Sequence, residues 1–430
     1  MKSKVALGFG LAVVMTASLA ACSSGPSGNA DDTVTLQMVE SLTSPERTKV
    51  LQELIDDFEA ANEGIKVDLI SPPTEQADQK IQQMLQAGKG VDVVEVRDLT
   101  VGSYSTNGWL YDMKSDFADW DGRAALSQTT IDLIDSEDNM YFMPYGYFGL
   151  SIFYRTDLIE QAGFDGPPDT WEDLYSQAKT IQDTLPNQYG FALRGGRSGF
   201  MHAIQVIESY LADKVDLQNA YFLADGSTIF AQPEAQEALD LYLEIFQDAA
   251  PESAISWGFP EMVEGFSNGS TAFLMQDPEV ITALKGSGSI TTDQWNTTAV
   301  LKGAGGKAFQ AQAFSGWGVA ESSEYQDEAV KLVQFLTSGE ASLTFSQNNN
   351  QIPILAAGAE SDYYKEGPWE SYFNMSADPA TYIVGNQPRT SEHWADWSEL
   401  ADADLQQLLL GQTTSEEVLT KWDEFWADKR

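Results

Sequence analysis

The sequence predicts an α/β protein, with helices packed on a largely parallel sheet. Two observations carry that expectation. Residues 33 to 96 alternate between period-two and helical spacing of their apolar side chains, which reads as a βαβαβ run. The composition, 43% hydrophobic and 11% aromatic, supplies apolar surface enough for real cores and is not that of a disordered chain.

Each element has a local reason. In Thr33 to Val39 the apolar positions Val34, Leu36 and Met38 alternate, as in a strand with one buried face. Ser44-Pro45 then opens a helix: the serine oxygen accepts from a free first-turn amide, and proline sits where no amide hydrogen is needed. Its residues Val50, Leu51, Leu54 and Phe58 fall on one face. Ile65 to Ile70 is the second strand. Thr74 is expected to cap a helix carrying Ile81, Met84 and Leu85, and Val91 to Val96 is the third strand.

Further along, Gly149 to Tyr154 reads as a strand. Thr170 caps a helix in which Asp173 reaches back, a capping box. Gln232-Pro233 opens a long helix striped by Ala235, Ala238, Leu239, Tyr242, Ile245 and Phe246. Thr271 to Met275 and Ala313 to Val319 are further strands. Helices with stripes at Ala329, Val330, Val333 and Leu336, and at Leu419, Trp422 and Trp426, close the chain.

The N-terminus carries an address. Residues 1 to 21 read as an export signal, with Lys2 and Lys4 at the positive end and Val5 to Leu19 apolar. The apolar run is about 15 residues, short of the roughly 20 that span a bilayer. Leu19-Ala20-Ala21-Cys22 matches the lipobox of bacterial lipoproteins, in which cleavage leaves a lipid-bearing cysteine. Cys22 is the chain's one cysteine, so the mature chain is expected to form no internal disulfide. Residues 22 to 32 then form a lipidated start and a flexible Ser/Gly-rich tether. The chain beyond the signal has 409 residues, 430 less 21, enough for two ordinary domains.

The formal charge of −41 becomes −43 once Lys2 and Lys4 are removed. Such a chain repels phosphate backbones, which excludes nucleic acid as a partner. It also repels anionic lipid surfaces, leaving the acyl chains as the only membrane contact.

The order of segments resembles the extracellular solute-binding proteins that deliver carbohydrates to ABC transporters, the maltose-binding-protein type. The resemblance runs from about Val34 to Trp426. It rests on Val91-Asp92-Val93-Val94-Glu95-Val96, Asn107-Gly108-Trp109-Leu110 and Met143-Pro144-Tyr145-Gly146. It continues through Ile152-Phe153-Tyr154-Arg155-Thr156-Asp157-Leu158, Pro168-Asp169-Thr170-Trp171-Glu172-Asp173-Leu174 and the closing segment Gly411 to Leu419. The resemblance implies a two-lobed periplasmic-binding-protein fold of type II, with three hinge crossings and a ligand cleft between the lobes. The crossings are expected near Tyr145 to Ser151, Met275 to Val280 and Ser315 to Ser322. The N-terminal lobe would be 33–146 plus 278–318, and the C-terminal lobe 147–277 plus 319–430. One departure stands out. Where the family often carries Gly-Pro-Trp, this chain has Gln276-Asp277-Pro278-Glu279, so a carboxylate there would bond hydroxyls instead of stacking on a ring.

A sugar has C–H faces that pack on aromatic planes and hydroxyl edges that need planar donors and acceptors. Candidate ligand residues follow from that pairing. Glu40, Arg97 and Asp98 come after the first and third strands, at the sheet edge that faces a binding crevice. Arg194 lies in a glycine-rich loop that also holds Arg197. Tyr147, Asp277, Glu279 and Trp317 belong to the implied crossings. Trp257 and Trp394 sit among polar residues, the latter near Arg389 and His393. Trp422 and Trp426, on a helical stripe, read as core.

Enzymatic readings find little support. Two histidines with no free thiol cannot build a structural zinc site. Ser176 and Lys179 match Ser-x-x-Lys without its partner motifs, and residues 303 to 308 read as a plain glycine turn. A glycosidase would need two facing carboxylates, for which Asp277 or Glu279 could supply one. No cofactor and no metal are expected. The reading is a lipid-anchored, monomeric receptor on the outer face of the bacterial membrane. It binds a sugar, an oligosaccharide by preference, and hands it to an ABC permease. The alternatives are a receptor for a polyamine or peptide, and a sensor subunit.

Overall fold

The computed structural model describes residues 33–430 except 137, 312, 366, 390 and 392; the signal, Cys22 and the tether lie outside the described residues. The strands in chain order are β1 Val34–Val39, β2 Ile65–Ile70, β3 Val93–Arg97, β4 Met143–Phe148, β5 Ser151–Arg155, β6 Tyr189–Phe191 and β7 Val215–Asp216. They continue as β8 Asn219–Leu223, β9 Thr271–Gln276, β10 Trp295–Thr298, β11 Ala308–Ala311, β12 Ala313–Val319, β13 Ile352–Pro353 and β14 Tyr382–Gly385. They form a six-stranded sheet ordered β13-β4-β12-β3-β1-β2 and a four-stranded sheet ordered β10-β5-β9-β6. Two small two-stranded sheets, β11-β14 and β7-β8, complete the set.

The opening βαβαβ run is as the spacing predicts. β1 pairs parallel with β2 from Val34 against Ile65 to Val39 against Ile70, and with β3 on its other side. The helix α1, Pro45–Ala61, begins where Ser44 Oγ accepts from Arg47 N and buries Leu51, Leu54, Ile55 and Phe58. The second helix, α2, Thr74–Ala87, differs in one detail: Thr74 does not cap it, because its hydroxyl is bonded to Thr43. Thr170 and Asp173 do form the reciprocal capping box.

Each sheet has its own core, so the molecule is two lobes. Leu36, Leu51, Phe117, Met143, Trp317, Val333 and Phe345 pack around the larger sheet. Ile152, Trp171, Ile207, Tyr242, Trp397, Trp422 and Trp426 pack against the smaller one. The chain passes between them first at Gly149-Leu150, between β4 and β5. It returns between β11 and β12, and leaves again between Leu355 of the first core and Tyr364 of the second lobe.

Two boundaries expected from the sequence are corrected. Met275 to Val280 is not a crossing: Val280, Ile281 and Leu284 pack with Phe153 and Leu274, and β10 pairs with β5, so this stretch stays in the second lobe. Conversely, residues 319 to 355 stay in the first lobe, where Ala329, Val330, Val333 and Phe345 join its core. Long-range strand pairing decides both points, and local sequence does not encode it.

β12 is the seam of the first sheet, antiparallel to β3 and to β4, with a register shift at Ser315/Gly316. A side chain at Gly316 would collide with the carbonyl oxygen of Met143. Glycine is therefore the residue that lets β4 and β12 approach.

Candidate functional site

The site starts at the first crossing. Phe148, Gly149 and Leu150 wall a cavity of about 190 Å³. Helix Phe200–Tyr210 contributes Met201, His202 and Gln205; the end of β9 contributes Gln276 and Asp277; β11 contributes Gln310 and Ala311. Arg194, Phe259, Gln387 and Arg389 also line it. Gln387 and Arg389 are shared with a larger cavity of about 860 Å³ that lies between the lobes. From the first lobe come Asp98, Val101 and Ser105 of helix α3, Asp98–Thr106, with Phe142 and Phe314. These two rings are stacked at 4.8 Å between centroids and 8° between planes. The second lobe supplies Gln218, Asn219, Asn386 to Arg389, His393 and Arg430.

A polar chain joins the lobes through this space. Arg389 Nη1 donates to Asp98 Oδ2 at 2.9 Å. Arg389 Nε donates to Gln387 Oε1 at 2.9 Å, and Gln387 Nε2 donates to the two carboxyl oxygens of Glu208 at 2.9 and 2.8 Å. Burial pushes the Glu208 carboxyl up to about 8, against the weaker opposing effects of Gln387 and Arg389. A group raised in the folded state contributes stability that is full below its unfolded pKa, near 4.5, and lost as the pH rises towards about 8. Glu208→Gln is therefore expected to flatten a slope of about 1.4 kcal/mol per pH unit between about pH 5 and 8 in urea titrations. A slope that survives the substitution would remove Glu208 as its source.

Asp277 and Glu279 both titrate above the ordinary carboxylate range. Burial is the main cause for each, and for Glu279 the charge of Asp277 adds to it. Asp277 lines the smaller cavity and accepts from Glu279 N at 3.1 Å, while Glu279 lines neither cavity.

Of the residues proposed from sequence, Asp98, Arg194, Asp277 and Arg389 are brought together at the two cavities. The other seven, Glu279 among them, lie elsewhere. Glu40 is wholly buried, accepting from Arg47 Nη1 at 2.6 Å and from Thr48 Oγ1 at 2.5 Å. Arg47 also donates to Glu95 at 2.8 Å and to Tyr145 Oη at 3.0 Å, so Glu40 belongs to an internal ion network. Arg97 is paired with Asp78 of α2. Tyr147 is a core residue whose hydroxyl donates to Thr130 Oγ1 at 3.0 Å. Trp257 packs against second-lobe cores, with its ring over Gly265. Trp394 lies beside Phe200 and Tyr221, at 6.1 and 6.2 Å.

Trp317 is the clearest correction. It is 1% exposed and sits among Tyr145 and Phe345, with ring centroids at 5.1 and 6.1 Å. Side chains alternate across a strand. On β12, Phe314 borders the cleft, and Trp317, three residues on, turns to the opposite face and enters the core. The aromatic rings at the two cavities are accordingly Phe and Tyr among the described residues, not Trp.

Sequence reasoning missed His202, Gln205 and Glu208. A signal was there: polar residues three apart in the otherwise apolar run Phe200 to Tyr210 mark one helix face. Gln387, two residues before Arg389, and Gln310 had no comparable mark.

Two lobes, three crossings and a polar cleft at their junction define a two-lobed binding protein of type II. The family model of bacterial extracellular solute-binding proteins matches residues 43–342, and the chain belongs to that family. A Brucella abortus protein described as a binding protein is 23% identical over 376 residues, 86% of each chain. The mannitol-binding protein of Pseudomonas aeruginosa is 29% identical over 184 residues, 40% of each chain. Among solved structures, maltose-bound MalE3 of T. maritima superposes with a TM-score of 0.77 at 20% identity, covering 91% of this chain and 98% of that one.

Proposed function

We propose that the chain is the lipid-anchored, substrate-binding subunit of an ABC importer, capturing a sugar between its lobes and delivering it to the permease. The observation that carries this is the interlobe cleft itself. Amide, carboxyl, guanidinium and imidazole groups meet aromatic rings at the point where the chain crosses between lobes. That combination suits a polyhydroxylated ring. The mannitol and maltose of the relatives' names point the same way. The adjoining volumes of about 190 and 860 Å³, which share Gln387 and Arg389, favour an extended saccharide over a single small ring.

The mechanism rests on geometry. A ligand that touches both lobes binds the closed arrangement more tightly and shifts the population towards it. An almost complete switch requires a preference of about 10⁴-fold. Closure would hold Asp98 and Arg389 together beside the ligand, so the permease would meet one continuous face only when the cleft is filled. Cys22, acylated, would keep the protein at the outer membrane face while the tether lets it dock.

Calorimetry against a glycan panel tests the ligand, with spermidine and a short peptide as contrasting arms. At least one oligosaccharide is expected to bind with a negative heat-capacity change, accompanied by a smaller radius of gyration in solution scattering. Binding of spermidine or peptide with no response to any saccharide would sink the sugar reading. Cys22→Ala is expected to move the protein from the membrane fraction to the medium or soluble fraction; retention on membranes would end the lipid-anchor reading.

A further inference from the structure

The chain holds 24 basic residues against 65 acidic ones, yet its cleft does not share that balance. The two adjoining cavities are lined by four basic residues, Arg194, Arg389, Lys429 and Arg430, and by three aspartates. Three of the four cations are neutralised within the protein. Arg389 pairs with Asp98 at 2.9 Å, Lys429 with Asp428 at 3.3 Å, and Arg430 with Asp216 at 2.8 Å.

Arg194 is different. Its Nε donates to the carbonyl oxygen of Arg197 at 2.7 Å, which fixes the plane of the guanidinium. Among the described residues its two terminal nitrogens make no ion pair and no hydrogen bond, although the side chain is half-buried at the wall of the smaller cavity. The acidic groups that act on it are Asp402 and Asp277, and both are engaged elsewhere. Asp402 accepts from the main-chain N–H groups of Ser198 (2.7 Å) and Phe200 (3.4 Å). Asp277 accepts from Glu279 N at 3.1 Å, and among the described residues it forms no ion pair with Arg194.

Beside Arg194 the cavity offers neutral polar atoms. His202 is 4% exposed, its imidazole held to the neutral form by burial and by the Arg194 charge, and its Nδ1 has no partner. Gln205 is 1% exposed; its amide donates to Phe309 O while Oε1 has no partner. A planar, oriented and unpaired guanidinium next to unpaired neutral donors and acceptors matches a carboxylate attached to a hydroxylated ring.

We propose that the ligand is an acidic saccharide, a hexuronic acid or an oligomer containing one, whose carboxylate is received by Arg194. The inference rests on the sugar reading and narrows it. Calorimetry on the mature protein at pH 7.5 would compare hexuronic acids and their di- and trisaccharides, each beside its neutral hexose counterpart. The best acid is expected to bind at least tenfold more tightly than its counterpart, and Arg194→Gln to reduce that ratio to about one. The wild-type ratio decides the matter even if the variant folds poorly. Neutral sugars that bind as tightly as every acid would overturn the carboxylate proposal and leave the sugar reading intact. Silence from all saccharides, acidic and neutral, would overturn both.

Discussion

Arg47→Met is expected to cost about 3–5 kcal/mol of folding stability, the scale on which a buried ion cluster fails when one partner is removed. Arg47 is 6% exposed and holds two carboxylates, Glu40 at 2.6 Å and Glu95 at 2.8 Å. Its guanidinium also lies over the Phe345 ring, 5.0 Å from the centroid. Burial alone would lower the Arg47 pKa; the attraction of Glu95, Tyr145 and Glu40 outweighs it and holds the charge. Burial would likewise raise Glu95, but Arg47, the Tyr145 hydroxyl and the amides of Ser41 and Leu42 bring it below its ordinary value.

The pH dependence has a definite sign. In the wild type, Glu95 contributes stability above about pH 4.5, and that contribution is lost as the pH falls through its lowered folded value. In the Arg47→Met protein Glu95 loses that counter-charge while the burial that raises its carboxyl remains, so acid stabilises the folded state relative to neutral pH. The two stability curves should converge as the pH is lowered, measured by urea titration from neutral to about pH 4. A deficit that stays constant with pH would show that the loss is one of packing alone.

Trp317→Ala is expected to be as costly, about 3–5 kcal/mol, by removing the largest side chain at the centre of the first core. Tyr145 and Phe345 flank it, and Tyr145 also donates to Glu95, so the cavity left behind borders the ion network. Trp317→Phe should recover a large part of the loss, because a ring still fills most of the volume. Chemical denaturation is the deciding measurement. A variant with wild-type stability but weakened ligand binding would return Trp317 to the cleft and contradict its burial.

Much of the local architecture was legible. The limits of β2 and β12 agree with the strands expected at Ile65 to Ile70 and Ala313 to Val319, the start of α1 follows from Ser44-Pro45, and the capping box from Thr170 and Asp173. Trp422 and Trp426 are core, as their helical stripe with Leu419 predicts. Of the cleft, Asp98 could be placed because it follows a strand end at a parallel-sheet edge, and Arg194 and Arg389 because loops hold them. Glu40 follows a strand end too, and the same rule misplaced it. What distinguishes the two is the partner: Arg47, in the first turn of α1, reaches back to Glu40, whereas Asp98 meets Arg389 from the other lobe.

Short-range physics was therefore enough to set most of the elements, the caps at Ser44 and Thr170 and the acidity of the chain. Each depends on side chains within a few residues of one another. The lobe boundaries, the inward turn of Trp317 and the gathering of His202, Gln205 and Gln387 around one cavity were settled only by the folded chain. These features depend on which strands pair across more than a hundred residues and on which face each then presents, and no local window of sequence contains that information.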